Sequence, residues 1–236
     1  MIPVAPVLLV QGRRLKRETP RLPDAAAPWT GTVRGPRPLR LLVIGDSTAA
    51  GVGAATQDEA LAGCLARELN ALTGRGVDFS AAGANGASSR DLLEHHLAAA
   101  GHSYDIVFLT VGANDALKLR ARAAFARDIR SVISRLRAAS PSATILMSSL
   151  PAFFRFELLP NPLKWNLYLH SRSLEDAARK VIAQAANAHM SPPPPPYTAG
   201  FFASDLFHPS ASGYLDWARF AIADAVTSGA LPAVRP

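Results

Sequence analysis

Cysteine is almost absent from the sequence, with Cys64 the only one in 236 residues. A lone cysteine cannot form an internal disulfide, and no cysteine or histidine lies near it at the spacing of metal ligands. Neither a disulfide framework nor a zinc site is therefore expected. Its neighbours Leu61, Leu65 and Leu69 recur at helical spacing. We therefore interpret Cys64 as a small residue that packs in the hydrophobic core. The sequence predicts no metal and no cofactor.

Charged residues are also few, at 18% of the chain, whereas 49% of the residues are apolar. This composition excludes general disorder and favours a single globular domain. The net charge of +7 raises the question of nucleic-acid binding. Much of the excess comes from Arg13, Arg14, Lys16 and Arg17, however, and no aromatic residues are interleaved with this run. We therefore expect no nucleic-acid partner and interpret the run as a solvated arm or a contact with a membrane surface.

The N-terminal region lacks a hydrophobic run long enough to cross a membrane. The apolar stretch at residues 2–10 is shorter than the roughly 20 residues that span a bilayer. No basic region precedes it and no small-residue cleavage site follows it, so a signal peptide is not predicted. Because basic residues follow the stretch directly, we favour a cytoplasmic or membrane-associated location, with peripheral membrane contact through the arm. Packing of the arm on the domain is the alternative.

Strands and helices alternate through the centre of the chain. Thr56 and Glu59 are interpreted as a capping box at the start of the first helix. Apolar runs predict four strands, at 41–44, 77–81, 105–111 and 144–149. Alternation at these lengths predicts an α/β fold in which helices cover both faces of a doubly wound parallel sheet, a three-layer α/β/α arrangement. In such sheets, ligands bind beyond the carboxyl ends of the strands.

The limits of the domain follow from composition. Residues 1–38 are interpreted as an apolar and basic arm followed by a linker, since residues 19–37 are rich in proline, glycine and alanine without apolar periodicity. A single domain is expected over residues 39–229. Residues 230–236 are interpreted as a C-terminal tail.

Aromatic residues make up only 7% of the chain, but many of them lie within residues 151–170. This segment follows the fourth strand on the side where ligands are expected, so we interpret it as a lid or an acyl-binding insertion. Simple covering of the core is the alternative. The candidate substrate contacts in this segment are Phe153, Phe154, Phe156 and Trp165. Further along, the five prolines at 192–196 predict a stiff connector that ends a helix.

Three residues from opposite ends of the domain have the chemistry of a nucleophile and its base. Ser47 follows the first buried strand, where its hydroxyl would face the ligand crevice, although taken singly it is better explained as a helix cap. Asp205 and His208 are three residues apart, a spacing that places both side chains on one face of a helical turn. Asp205 can then accept from Nδ1 of His208, which leaves Nε2 for a hydroxyl.

Two further loops offer hydrogen-bond donors at strand ends. Residues 82–86 follow the second strand, where a glycine lets backbone N–H groups approach a substrate closely. Residues 112–115 follow the third strand and present the side-chain amide of Asn114. Acyl transfer needs such donors for the developing oxyanion. Taken singly, Gly86 and Asn114 are ordinary turn residues.

Four short blocks together resemble the signature of the SGNH hydrolases, also called the GDSL family. The blocks are residues 45–48, 82–86, 112–115 and 205–209, and they occur in the family's order. The resemblance spans most of the chain and implies the flavodoxin-like fold of that family. It departs from the family pattern at Ala81, where the family often has Asn, and at Thr48, which replaces the usual Leu.

The resemblance implies a catalytic triad of Ser47, Asp205 and His208. It further implies an oxyanion hole made by the backbone N–H groups of Ser47 and Gly86 and by the Asn114 side chain. Gly86 is preferred to Gly83 because the family's glycine usually follows a small polar residue, here Asn85.

The expected activity is that of a serine esterase that acts through an acyl-enzyme on Ser47, and acyl or lipid esters are the favoured substrates. A carbohydrate O-acetylesterase and a thioesterase use the same triad and stay open. An acyl- or glycan-binding module of the same fold is the alternative that is not an enzyme. A nucleotide-binding protein is disfavoured, because residues 45–53 contain neither G-x-G-x-x-G nor the lysine of a P-loop.

Overall fold

A six-stranded sheet in the order β1-β3-β2-β4-β5-β6 forms the centre of the computed structural model, which describes residues 4–101 and 103–232. Strands β2 to β6 run parallel, and β1 pairs antiparallel with β3 at one edge. The six strands are β1 (Thr30–Val33), β2 (Leu39–Gly45), β3 (Val77–Gly83), β4 (Ile106–Thr110), β5 (Thr144–Met147) and β6 (Ala188–Met190). The parallel strands follow the order of flavodoxin-like folds, which confirms the predicted fold class.

Helices connect the strands and cover both faces of the sheet. They are α1 (Val4–Glu18), α2 (Leu61–Thr73), α3 (Ser89–Asp91), α4 (Ala113–Leu117), α5 (Arg122–Ala139), α6 (Leu163–Ile182) and α7 (Ala211–Thr227). The chain continues from α3 as a π-helix over Leu92–His96 and a 3₁₀-helix over Leu97–Gly101. Another 3₁₀-turn covers Phe153–Arg155.

Strand β2 shows how the sequence produces the three layers. Leu41 and Val43 point into a hydrophobic cluster formed with α2 and α7. Leu42 and Ile44 point into a second cluster, formed with α5 and α6 on the opposite face. Because alternate side chains of a strand face opposite ways, a strand buried on both faces needs a continuous apolar run, which is what residues 41–44 supply.

The segment interpreted as a linker contributes a strand to the sheet. Within residues 19–37, β1 pairs with β3 so that Thr30 lies opposite Ser80 and Val33 opposite Val77. Ala25 also donates its backbone N–H to the carbonyl of Ala50, at 3.0 Å. The linker interpretation missed β1 because an edge strand that is half exposed needs no apolar run.

Helix α1 packs on the domain instead of extending as a free arm. Leu8 and Leu15 contact the cluster on the α5 and α6 side of the sheet. Gln11 Nε2 donates to the carbonyl of Asn161 at 2.7 Å, and the backbone N–H of Leu163 donates to Gln11 Oε1 at 3.2 Å. Residues 1–3 of the arm and residues 233–236 of the tail lie outside the described residues. Within the described ranges, no helix is both long and apolar enough to cross a membrane.

Two local expectations were wrong. Helix α2 begins at Leu61 with Ala60 as its N-cap and no side-chain cap, so Thr56 and Glu59 do not form a capping box; Glu59 accepts from the backbone of Ala55 instead. The prolines at 192–196 follow strand β6 and not a helix. The interpretation of residues 151–170 as a lid or acyl-binding insertion stays a prediction; the last part of this segment forms the first two turns of α6.

Candidate active site

The turn that leaves β2 places Ser47 at the carboxyl edge of the sheet. The backbone N–H of Asp46 donates to Thr110 O of the neighbouring strand at 2.9 Å. A Cβ atom at Gly45 would lie 1.7 Å from that same oxygen, so only glycine allows β2 and β4 to approach this closely. Beyond the turn, Val52 donates to the carbonyl of Ser47 at 3.0 Å. The buried hydroxyl of Tyr214 donates to Val52 O at 2.7 Å, which ties the turn to α7.

A compact loop before α7 holds Asp205 and His208. Ala203 donates its backbone N–H to the carbonyl of His208 at 2.8 Å, and Phe202 forms a β-bridge with Pro209. One carboxylate oxygen of Asp205 accepts from the backbone N–H groups of Phe207 and His208, both at 3.0 Å. These bonds close the loop around the carboxylate and aim its second oxygen at the His208 ring.

The structure brings Ser47, Asp205 and His208 together in one hydrogen-bonded chain. Asp205 Oδ2 lies 2.6 Å from His208 Nδ1, and His208 Nε2 lies 3.0 Å from Ser47 Oγ. With a proton on Nδ1, the neutral ring has its lone pair on Nε2 and can accept the hydroxyl proton of Ser47. Residues 161 positions apart therefore have the geometry of a nucleophile and its base.

The electrostatics of the Asp205 carboxyl favour its charged form. Burial by itself raises the pKa of this group. The hydrogen bonds from the His208 ring and from the backbone N–H groups of His208 and Phe207 outweigh burial, so the pKa of Asp205 lies below its usual value. The carboxylate is thus charged at neutral pH and can stabilise a positive imidazolium beside it.

A second carboxylate, that of Asp46, is buried next to Ser47 and organises the turn. Asp46 Oδ1 accepts from the backbone N–H of Thr48 at 3.1 Å and from its hydroxyl at 2.7 Å. Burial raises the pKa of Asp46, and the two bonds from Thr48 oppose that rise. These contacts are those of a residue that shapes the turn.

Gly86 lies in the loop that follows β3, and Asn114 lies on the short helix α4 that follows β4. Both flank Ser47, because β3 and β4 are the two neighbours of β2 in the sheet. Asn114 Nδ2 donates to the carbonyl of Ala87 at 3.0 Å, and Lys118 Nζ donates to Gly86 O at 3.1 Å. The loop and the helix therefore form one connected unit. The cavity beside Ser47 is lined on this side by Ala113, and neither Gly86 nor Asn114 contributes to its lining.

Gly83, the other glycine considered for the oxyanion hole, has a packing role. A Cβ atom there would lie 2.5 Å from the backbone nitrogen of Ala50 and 2.6 Å from Asp46 O. Glycine is thus needed for β3 to approach the turn that carries Ser47. At Gly86, by contrast, a Cβ would meet no atom within 4 Å, although its φ of +82° favours glycine.

Asp115 fixes α4, the short helix that carries Asn114. Its carboxylate accepts from the backbone N–H and the hydroxyl of Ser89, at 2.8 and 2.7 Å. The Arg120 guanidinium lies 3.4 Å away. Burial raises the pKa of Asp115, and the Ser89 hydrogen bonds oppose that rise. Asp115 therefore joins the start of α3 to α4 and keeps both in place.

A largely apolar cavity opens beside Ser47 and His208, with an empty volume of about 990 Å³ including its open mouth. The aromatic residues in its lining include Phe156, Tyr197, Phe201, Phe202, Phe207 and Trp217. Prolines 194, 195 and 196 complete one wall. Such a lining suits an apolar part of a ligand, held next to a reactive hydroxyl.

Of the four aromatic residues expected to contact substrate, only Phe156 lines this cavity. Phe153 is fully buried in the core, and Phe154 stacks on the half-exposed Trp165 with ring centroids 5.5 Å apart. For Phe153, the alternative expectation, that these aromatic residues cover the core, therefore applies. Phe207 also lines the cavity. The sequence could have indicated this, because Phe207 lies between Asp205 and His208.

The other cavity aromatics could not be found from local pattern. Tyr197 and Phe201 follow the proline run, which was interpreted only as a connector. Trp217 lies on α7, and its sequence context does not distinguish it from the apolar residues of that helix that pack in the core. Which of these rings faces a cavity depends on how distant elements pack together.

The GDSL-like Lipase/Acylhydrolase family matches residues 43–215. The GDSL-like esterase Rv1075c of Mycobacterium tuberculosis is 27% identical over 205 residues, which cover 81% of this chain and 64% of that protein. The chain thus spans less than two thirds of the length of this relative.

Solved structures show the same fold. The lipase/acylhydrolase from Enterococcus faecalis superposes with a TM-score of 0.59 at 20% identity, covering 80% of this chain and 96% of that one. The extracellular lipase from Streptomyces rimosus gives a TM-score of 0.57 at 17% identity, covering 80% and 99%. The family match takes in most of the chain, including both loops that flank β2 and the Asp205–His208 loop. The protein belongs to the GDSL-like Lipase/Acylhydrolase family.

Proposed function

We propose that the protein is a serine hydrolase that cleaves carboxylic esters through an acyl-enzyme on Ser47. The observation that carries the proposal is the hydrogen-bonded chain from Asp205 through His208 to Ser47, beside an apolar cavity. A serine hydroxyl is a weak nucleophile until a neighbouring base removes its proton, and His208 Nε2 is within reach to do so.

The reaction proceeds in two halves. Ser47 Oγ attacks the ester carbonyl carbon while its proton passes to His208 Nε2, and the tetrahedral intermediate then expels the alcohol, which takes the proton back from His208. Water attacks the resulting acyl-Ser47 ester and gives one proton to His208. Collapse releases the carboxylic acid and returns that proton to Ser47 Oγ.

Asp205 and the flanking loops support the charges that develop. Asp205 holds the His208 ring with Nδ1 protonated and stabilises the imidazolium during each half-reaction. The proposed oxyanion donors are the backbone N–H groups of Ser47 and Gly86 and the side-chain amide of Asn114. Asn114 uses one N–H on Ala87 O, which leaves its second N–H for the oxyanion. Such a donor typically contributes about 3 kcal/mol to the transition state.

Acyl esters are the substrates that suit the cavity best. The walls consist mainly of aromatic rings and prolines, and burying an acyl chain against them stabilises the complex by about 0.8 kcal/mol per methylene group. An acetyl group on a carbohydrate would leave most of this apolar surface in contact with water. The cavity therefore favours a lipid-like acyl ester over a carbohydrate acetate.

Hydrolysis of p-nitrophenyl esters that differ only in acyl length tests the proposal. We expect activity that rises from acetate to longer chains, and none with Ser47→Ala. Ser134→Ala, an exposed serine on α5, is the matched control and should behave as wild type. An active Ser47→Ala variant would refute the nucleophile, and a preference for acetate alone would refute the acyl-ester substrate.

A further inference from the structure

Two neighbouring loops form one wall of the cavity. Residues 151–156 leave the carboxyl end of β5, and residues 192–198 leave the carboxyl end of β6, its neighbour in the sheet. The first loop contributes Pro151 and Phe156 to the cavity lining. The second contributes Tyr197 and three prolines. The position of this wall therefore depends on how the two loops are held together.

Arg155 connects the two loops. Its Nη1 donates to Pro194 O at 2.6 Å and to Pro195 O at 2.9 Å. The guanidinium carbon also lies 5.2 Å from the centre of the Phe154 ring and 5.9 Å from that of Tyr197. The Arg155 side chain thus contacts Phe154 in the first loop and the proline segment and Tyr197 in the second.

The proline segment makes few hydrogen bonds to the rest of the protein. Proline has no N–H group, so residues 192–196 can only accept hydrogen bonds. Within the described part of the chain, both hydrogen bonds found for these five residues come from Arg155. The stiffness of consecutive prolines keeps the segment extended, but it does not fix its distance from the neighbouring loop.

Tyr197 continues the contact between the two loops. Burial raises the pKa of Tyr197 to about 12, and the nearby Arg155 guanidinium and the backbone of Ala152 oppose that rise. The Tyr197 ring contacts Phe156, with centroids 6.0 Å apart. Phe156 in turn contacts Phe207, beside His208. The wall therefore runs without a break from the proline segment to the imidazole.

We propose that the proline segment at 192–196 is an acyl-binding wall and that Arg155 is the positioning residue that sets its distance, and with it the acyl length that the enzyme prefers. This inference rests on the proposed esterase function. The planar guanidinium donates to two carbonyls and also lies beside two aromatic rings, a rigid arrangement that the compact ammonium of a lysine on its flexible stem reproduces only in part. Without Arg155 the wall moves outward, and the cavity no longer distinguishes acyl chains by length.

The test compares kcat/KM over a series of p-nitrophenyl esters for wild type, Arg155→Met, Arg155→Lys and Arg130→Met. Arg130 is an exposed arginine on α5 and serves as the matched control. For Arg155→Met we expect kcat/KM to fall about tenfold at the preferred chain length, since one methylene is worth roughly that factor in a fitted pocket. Acetate should change less than about threefold, because its acyl group is too short to reach the wall.

Arg155→Lys should flatten the profile partially, and Arg130→Met should leave it unchanged. A profile of unchanged shape in Arg155→Met, or an equal loss for all esters in a folded variant, would overturn the inference while leaving the esterase function standing. If Arg155→Met does not fold, the profile of Arg155→Lys decides. A wild-type protein inactive on every ester would instead overturn the proposed function itself.

Discussion

Asp205 is the residue on which the charges of the site depend. Its carboxylate accepts two backbone hydrogen bonds and one from the His208 ring, and together these lower its pKa despite burial. A carboxyl with a lowered pKa stabilises the folded state only while it is charged. Its contribution is therefore complete above the pKa of an unfolded aspartate, about 3.9, and is lost as the pH falls through the folded-state value.

We predict that the stability advantage of wild type over Asp205→Asn shrinks on acidification. The decline should begin below about pH 4, where the carboxylate starts to be protonated. Urea unfolding at a series of pH values measures this directly. A stability difference that keeps growing below about pH 4 would contradict the assigned charge state.

Asn114 tests the oxyanion hole. We predict that Asn114→Ala lowers kcat by a factor on the order of 100 with little change in KM, because the lost hydrogen bond forms mainly in the transition state. Asn166→Ala, an exposed asparagine on α6, is the control and should have wild-type kinetics. A wild-type kcat in Asn114→Ala would remove this residue from the hole, a result compatible with its position outside the cavity lining.

At the scale of single elements, α1 presents two different faces. Leu8 and Leu15 pack on the domain, whereas Leu9 and Val10 are more than half exposed. Arg13 is also exposed. Exposed apolar residues followed by basic ones suit a surface of anionic lipid. Peripheral membrane contact through α1 thus remains a prediction.

We predict that the protein sediments with vesicles that contain anionic phosphatidylserine, and less with neutral phosphatidylcholine vesicles. The double variant Leu9→Glu, Val10→Glu should lose this binding and keep its melting temperature, since both side chains already face solvent. Equal sedimentation of the variant and wild type would contradict a role for α1.

Elements with a clear pattern in their own sequence were predicted well. Elements that form through contacts with distant parts of the chain were not. Strand β2 was found because burial on both faces demands an apolar run. Strand β1 was missed because pairing with β3, and not its own sequence, makes it a strand. The Asp205–His208 pair was found because its members are close in sequence. The role of residues 192–196 in the cavity was missed because it depends on Arg155, which lies far away in sequence.

At the scale of the whole molecule, the site is assembled from distant parts of the chain. Ser47 leaves β2, the central strand between the two flanking loops, and His208 precedes α7 near the other end of the domain. Tyr214 joins these parts, because it lies on α7 and donates to the carbonyl of Val52 in the Ser47 turn. Only the family resemblance predicts that these regions meet, since no local pattern links residues 161 positions apart.

The proposed chemistry depends on Ser47 being a nucleophile that His208 activates. Labelling with a fluorophosphonate, followed by mass spectrometry of the digested protein, tests it most directly. We expect one phosphonyl group per chain, on Ser47, in wild type, and labelling slowed by orders of magnitude in His208→Ala. A label on another residue, or a Ser47→Ala variant labelled as fast as wild type, would contradict it.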